Sequence, residues 1–185
     1  MRNHWSNAIG TSVSTLPDEK ASMPATRDEL MARLDALEIA TKTVDHAPVF
    51  TVEEARALRG EIAGGHCKNL FLKDDKGAIY LIVCLEDARV DLKSAPARIG
   101  SRRLTFGKPD LLMQILGVEP GSVTPFGLIN DTMQRTRVIL DQAMMEHAIL
   151  NFHPLRNDAT TSIAAADLVR FIRSCGHDPR VVAVS

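Results

Sequence analysis

Gly121 and Pro125 bracket Ser122, Val123 and Thr124 in the stretch "GSVTP". Glycine opens backbone conformations that other residues avoid, and proline narrows φ to one range. A loop built this way fixes its backbone firmly, yet it carries no acid, base or thiol. It reads as an ordinary tight connection, or as a loop whose own amides and carbonyls are the tools.

Three further residues are chemically eligible. Lys68 heads the apolar run "KNLFL", where a lysine either snorkels to solvent or anchors a phosphate as a point charge at a pocket mouth. His153 precedes Pro154, which biases it to an extended strand end, as a structural or a functional histidine. Cys67 lies between His66 and Lys68, but neighbours on a strand point to opposite faces and would not flank its sulfur. Cys67 therefore reads as a small buried hydrophobe, with an activated thiolate as the alternative.

A basic stretch is the other signal. From Arg89 to Lys108 there are six basic residues (Arg89, Lys93, Arg98, Arg102, Arg103, Lys108) and one acid, Asp91, in a chain of net charge −1. That local excess suits a polyanion-facing surface or a solvated face. Motifs for nucleotides, metals or a serine nucleophile (GxGxxG, the P-loop, HExxH, GxSxG, paired cysteines) do not occur, so no cofactor and no metal are expected.

The elements that must position these residues follow from pattern. Thr26 and Glu29 form a capping box before Leu30, Leu34 and Leu37, and Thr51 with Glu54 opens a second short helix ending at Gly60. "TKTVDH", "HCKNLFLK" and "AIYLIVC" read as strands, the last two joined through the hairpin turn "DDKG". A helix over 92–99, a strand "RLTF" and a helix from Pro109 to Leu116 come next. "TRVILD", "AILNF" and "ATTSI" are short strands, "AAADLVRFIRSCG" is an amphipathic helix, and "PRVVAV" closes the chain. The fold class is a mixed α/β domain.

At 185 residues, with 45% hydrophobic and 24% charged residues, the chain suits one domain with a real core. Residues 1–22 read as a loose polar leader without a secretory apolar segment, and 23–185 as the single domain. Three cysteines without metal spacing fit a reducing cytoplasm, and no apolar run reaches membrane-spanning length.

Four stretches together carry a resemblance: "DHAPVFTVEEA", "HCKNLFLKDDKGAIYLIVC", "RLTFGKPDLLMQILGVEPGSVTPFGLIND" and "ILNFHPLRNDATTSIAAADLVRFI". The chain resembles the YbaK/prolyl-tRNA deacylase family, in particular its free-standing ProX-type editing proteins, from about Met23 to the C-terminus. The resemblance implies a strongly twisted, partly barrel-like mixed sheet flanked by helices. It implies hydrolysis of alanine wrongly esterified to proline tRNA, with cysteinyl-tRNA(Pro) deacylation or non-catalytic RNA or DNA binding as the alternatives. Carried over by position, the catalytic set is Lys68, Asn69, Gly121, Pro125 and His153, and the substrate pocket takes Phe50, Ser122, Val123 and Thr124. Contacts to tRNA fall to Lys73, Arg98, Arg102, Arg103 and Lys108. The implied partner is the mischarged acceptor end, with prolyl-tRNA synthetase or an elongation factor as transient partners and no membrane.

Overall fold

The computed structural model describes residues 23–48 and 62–185. The expected leader, the helix expected to open at Thr51 and the expected pocket residue Phe50 all lie outside the described residues.

Helix α1 (Arg27–Ala36) begins where its capping box predicts. The Thr26 amide donates to Glu29 Oε2 at 2.7 Å, and the Glu29 amide donates back to Thr26 Oγ1 at 3.3 Å. Two N-terminal donors are thereby satisfied, and Leu30 and Leu34 go fully into the core.

The strands are β1 (Thr41–Asp45), β2 (Gly65–Asp74), β3 (Ile79–Leu85), β4 (Leu104–Phe106), β5 (Thr136–Asp141), β6 (Ile149–Phe152), β7 (Ala159–Ala164) and β8 (Arg180–Val182). They form one eight-stranded sheet in the order β1-β7-β6-β2-β3-β5-β8, with β4 added to β2. The sheet is mixed. β2 pairs antiparallel with β3 and β4, while β6 joins β2, and β5 joins β3, in parallel. Gly77, at φ +88, makes the expected turn between β2 and β3.

Helices α2 (Ala95–Ile99), α3 (Pro109–Leu116) and α4 (Ala165–Ser174) cover the sheet. α2 is shorter than the pattern over 92–99 suggested. Asp91 ends a turn there, accepting the Ala95 amide on its carbonyl and the Lys93 amide on its carboxylate, and Pro96 sits at the helix start. The larger core takes Phe71, Leu81, Val83, Phe126, Phe152 and Phe171 on one face of the sheet, with α1, α3 and α4. A smaller core takes Leu72, Tyr80, Ile82 and Ile139 on the other face, under α2. Strand alternation divides β2 between them: Cys67 and Phe71 turn to the large core, Leu70 and Leu72 to the small one.

Candidate active site at an interrupted strand edge

β3 runs along one side of β2, from Cys67 to Lys73. The other side is shared by two strands that do not meet. β6 pairs only with Gly65 and His66, and β4 pairs with Leu72 to Asp74, extended by the Gly107 amide donating to the Phe71 carbonyl at 2.9 Å. Between them, among the described residues, no strand pairs with Cys67, Lys68, Asn69 or Leu70. Among the described residues, Lys68 and Asn69 therefore lie on a stretch of that edge with no neighbouring strand. Continuing the parallel register Gly65↔Leu150 and His66↔Asn151 by two residues sets His153 level with Lys68.

Lys68 and Asn69 point to opposite faces, so they are not one cluster on one surface. Lys68 lies opposite Cys84 on the small-core side, and its ammonium donates to the Ala88 carbonyl. An ammonium has three donors, so that bond leaves two. Asn69 turns to the large-core side, where its Nδ2 donates to the Val123 carbonyl at 2.9 Å. Its Oδ1 is buried and has no hydrogen-bond partner among the described residues. A buried acceptor left unpaired costs about 1–3 kcal/mol, which a donor supplied by a ligand would recover.

The Gly121–Pro125 loop is held from both ends. The Ser122 amide donates to the Glu119 carbonyl at 3.0 Å, and Gly121 stands at φ +89. Thr124 caps a 3₁₀ turn over Pro125–Ile129, its Oγ1 accepting the Phe126 amide at 3.3 Å. Ser122 and Thr124 are both buried, and Val123 is half-buried against the core. Phe126 then meets Phe152 edge-on at 5.9 Å and Phe171 at 5.4 Å. Each such pair contributes about 0.5–1.5 kcal/mol beyond area burial. Because Phe152 immediately precedes His153, loop and histidine share one anchor.

His153 is half-buried. Its Nδ1 lies 3.0 Å from the Ala159 carbonyl, and burial pulls its pKa below the usual histidine range. The His46 ring stands 6.5 Å away, its Nε2 3.0 Å from Thr160 Oγ1. His46 belongs to the quoted "DHAPVF" stretch but had no role from sequence. Asn151 was also missed; it is buried, donates to the Ala63 carbonyl at 3.1 Å and accepts from Ser162 at 2.6 Å. Only its position two residues before His153 marked it.

The thiol reading fails on burial, which pushes the Cys67 pKa up to about 12. Its neighbour His66 is engaged elsewhere, Nε2 lying 3.0 Å from the Ile62 carbonyl. Among the described residues no group of three His, Cys, Asp or Glu could hold a metal ion.

Lys73, Arg98, Arg102, Arg103 and Lys108 are all exposed. They are not equivalent. Arg98 donates to the Ala183 and Ser185 carbonyls and so ties α2 to the chain end. Lys73 pairs with Thr105 across β2 and β4, on the face that Asn69 shares. No helix among the described residues is long and apolar enough to cross a membrane.

A mixed sheet with an unpaired stretch on one strand thus holds the Gly121–Pro125 loop through Asn69. The chain belongs to the aminoacyl-tRNA editing domain family, whose family model matches residues 46–171. The prolyl-tRNA editing protein ProX of Acetoanaerobium sticklandii is 34% identical over 152 residues, 82% of this chain and 93% of that protein. The prolyl-tRNA synthetase associated domain-containing protein 1 of Mus musculus is 37% identical over 161 residues, 84% of this chain and 95% of that one. A crystal structure described as a candidate trans-editing enzyme for prolyl-tRNA synthetase shares the fold, with a TM-score of 0.65 at 20% identity over 84% of this chain and 95% of that chain.

Proposed function

We propose that the chain is a trans-acting aminoacyl-tRNA deacylase that hydrolyses alanine from mischarged proline tRNA. The observation that carries this reading is the Asn69 side chain, which holds the Val123 carbonyl while its own buried Oδ1 stays unpaired. An α-ammonium group bound where Asn69 meets the loop supplies the missing donor. The name of the Acetoanaerobium relative supports the substrate class.

An aminoacyl ester is already activated, so orientation and charge stabilisation suffice where a strong nucleophile is absent. Lys68 holds a phosphate of the terminal adenosine. The exposed Gly121 lets the ester approach the loop backbone, since among the described residues no atom beyond its own chain neighbours lies within 4 Å of the position a Cβ would take. The adenosine's 2′-hydroxyl assists a water molecule. The water oxygen bonds to the ester carbonyl carbon, the bond to the ribose oxygen breaks, and that oxygen takes up a proton. Free alanine and uncharged tRNA leave. Proline is excluded sterically by the rigid loop.

Release of labelled amino acid from alanyl-, cysteinyl- and prolyl-tRNA(Pro) tests the reading. Alanine is expected to leave fastest and proline to stay. Faster release of cysteine reassigns the specificity, and release of neither removes the enzymatic reading.

A further inference from the structure

Phe106 is 65% exposed. A lone exposed apolar side chain ordinarily needs no explanation, but the placement of this one is enforced. Gly107 follows it, and a Cβ there would come within 2.4 Å of the Phe71 ring. Phe71 thus packs directly on the Gly107 backbone, and the ladder bond from the Gly107 amide to the Phe71 carbonyl pins the strand. With Phe71 turned inward, alternation sends Phe106 to the opposite face, opposite Leu72. That is the face of Lys68. Leu72 lies four residues beyond Lys68 on β2, about 13 Å at roughly 3.3 Å per residue, a span that a few unpaired nucleotides bridge.

The surroundings are cationic. Arg102, Arg103 and Lys108 lie within four residues of Phe106 in sequence and are exposed. The nearest acid on β2, Asp74, is buried and spends its carboxylate on the amides of Lys76, Ala78 and Arg102. Asp75 lies in the β2–β3 turn and Asp110 in the first turn of α3. An exposed ring in a basic stretch, on the face that also carries Lys68, has the parts that bind single-stranded nucleic acid through stacking.

We propose that Phe106 is the platform on which an unpaired base of the tRNA acceptor end stacks, with Lys108 beside it for a flanking phosphate. This rests on the editing reading above. The surface therefore recognises unpaired RNA independently of base identity, because every base has a π-face.

Kinetics on alanyl-tRNA(Pro) with the full chain test it. Phe106→Ala should raise KM by about 5- to 150-fold, the loss of one base stack, while kcat changes far less. Phe106→Trp should restore KM, and Phe106→Leu, apolar but not aromatic, should not. In a Trp5→Phe background, the Phe106→Trp fluorescence should be quenched by uncharged tRNA(Pro) with an intact 3′ end and not by tRNA trimmed of its unpaired 3′ nucleotides. A wild-type chain that deacylates normally, with Phe106→Ala matching it in KM, overturns the platform and leaves the editing reading standing. A wild-type chain that releases no amino acid from any tRNA overturns both. Conversion of a dimer to a monomer by Phe106→Ala in sedimentation, with KM unchanged, assigns the ring to a second copy of this chain and overturns the platform.

Discussion

Asn69 Nδ2 donates to the Val123 carbonyl at 2.9 Å. An edge-strand side chain thus grips the middle of the Gly121–Pro125 loop by its backbone, and the loop's position depends on β2 as much as on its own glycine and proline. Asn69→Ala removes that grip and the unpaired Oδ1 together. A net loss of about 1–3 kcal/mol corresponds to a fall in kcat/KM of roughly 5- to 150-fold. Asn69→Asp keeps an acceptor and loses the donor, so it should be impaired as well. Activity unchanged in Asn69→Ala, measured by alanine release, removes Asn69 from the site.

Lys68 should act through binding. Its ammonium reaches the Ala88 carbonyl, at the entrance to the basic stretch. A charge-assisted contact to phosphate is worth about 1.5–3 kcal/mol, so Lys68→Ala should lower kcat/KM about 10- to 150-fold with a normal melting curve. Arginine should rescue only partly, since its planar fork does not reproduce a point charge. Near-normal turnover in the alanine variant takes Lys68 out of the reaction.

The thiols should be inert. With the Cys67 pKa pushed up to about 12 and that of Cys84 to about 11, the Cys67 thiolate fraction at pH 8 is on the order of one in ten thousand. Cys67→Ser should keep most of the activity, and brief iodoacetamide treatment should leave turnover unchanged. Complete inactivation of a well-folded serine variant would restore the thiol hydrolase.

His153 sets a direction for pH dependence. Burial depresses its pKa in the folded chain, opposed by the Ala159 carbonyl and the nearby Asp158, and the neighbouring His46 depresses it further. The unfolded chain, with a value of about 6.5, takes up the proton first as pH falls. The stability that the neutral ring contributes is therefore present above about pH 6.5 and lost progressively below it. Melting temperatures should fall more steeply between pH 7 and pH 5 in the wild type than in His153→Asn. Parallel curves for the two proteins contradict the assignment.

Much of the scaffold was legible because it is local. The Thr26–Glu29 box, the Gly77 turn and the helix Pro109–Leu116 each depend on residues a few positions apart. The site was legible only as separate residues. Among the described residues, Lys68 and Asn69 share an unpaired stretch of β2 because β6 stops pairing at His66 and β4 begins at Leu72, a gap created by strands distant in sequence. Strand period alone says that adjacent residues diverge; it cannot say that the edge between them is open. The second part of the anchor, Phe126 on Phe152, is likewise a contact between distant elements.

The loop itself yields the sharpest comparison. Gly121 sits at φ +89 with open space where a Cβ would stand, so a side chain there meets no described atom and acts through backbone strain and through the approach of substrate. A branched residue in that region costs about 1–3 kcal/mol and moves the amides on either side. Losing one aligned backbone donor lowers turnover about 100- to 1,000-fold. Gly121→Val should therefore fall by at least that range while remaining folded. Ser122 is buried, and its amide rather than its hydroxyl makes the structural bond to Glu119. Ser122→Ala keeps that amide and should retain most turnover. Substrate ending in 2′-deoxyadenosine should fail with the wild type as badly as the valine variant fails with normal substrate, because the assisting hydroxyl is gone. The two variants should be run side by side on alanyl-tRNA(Pro), with melting curves for both. An inactive Ser122→Ala beside an active Gly121→Val means that a side-chain hydroxyl, and not the loop backbone, attacks the ester.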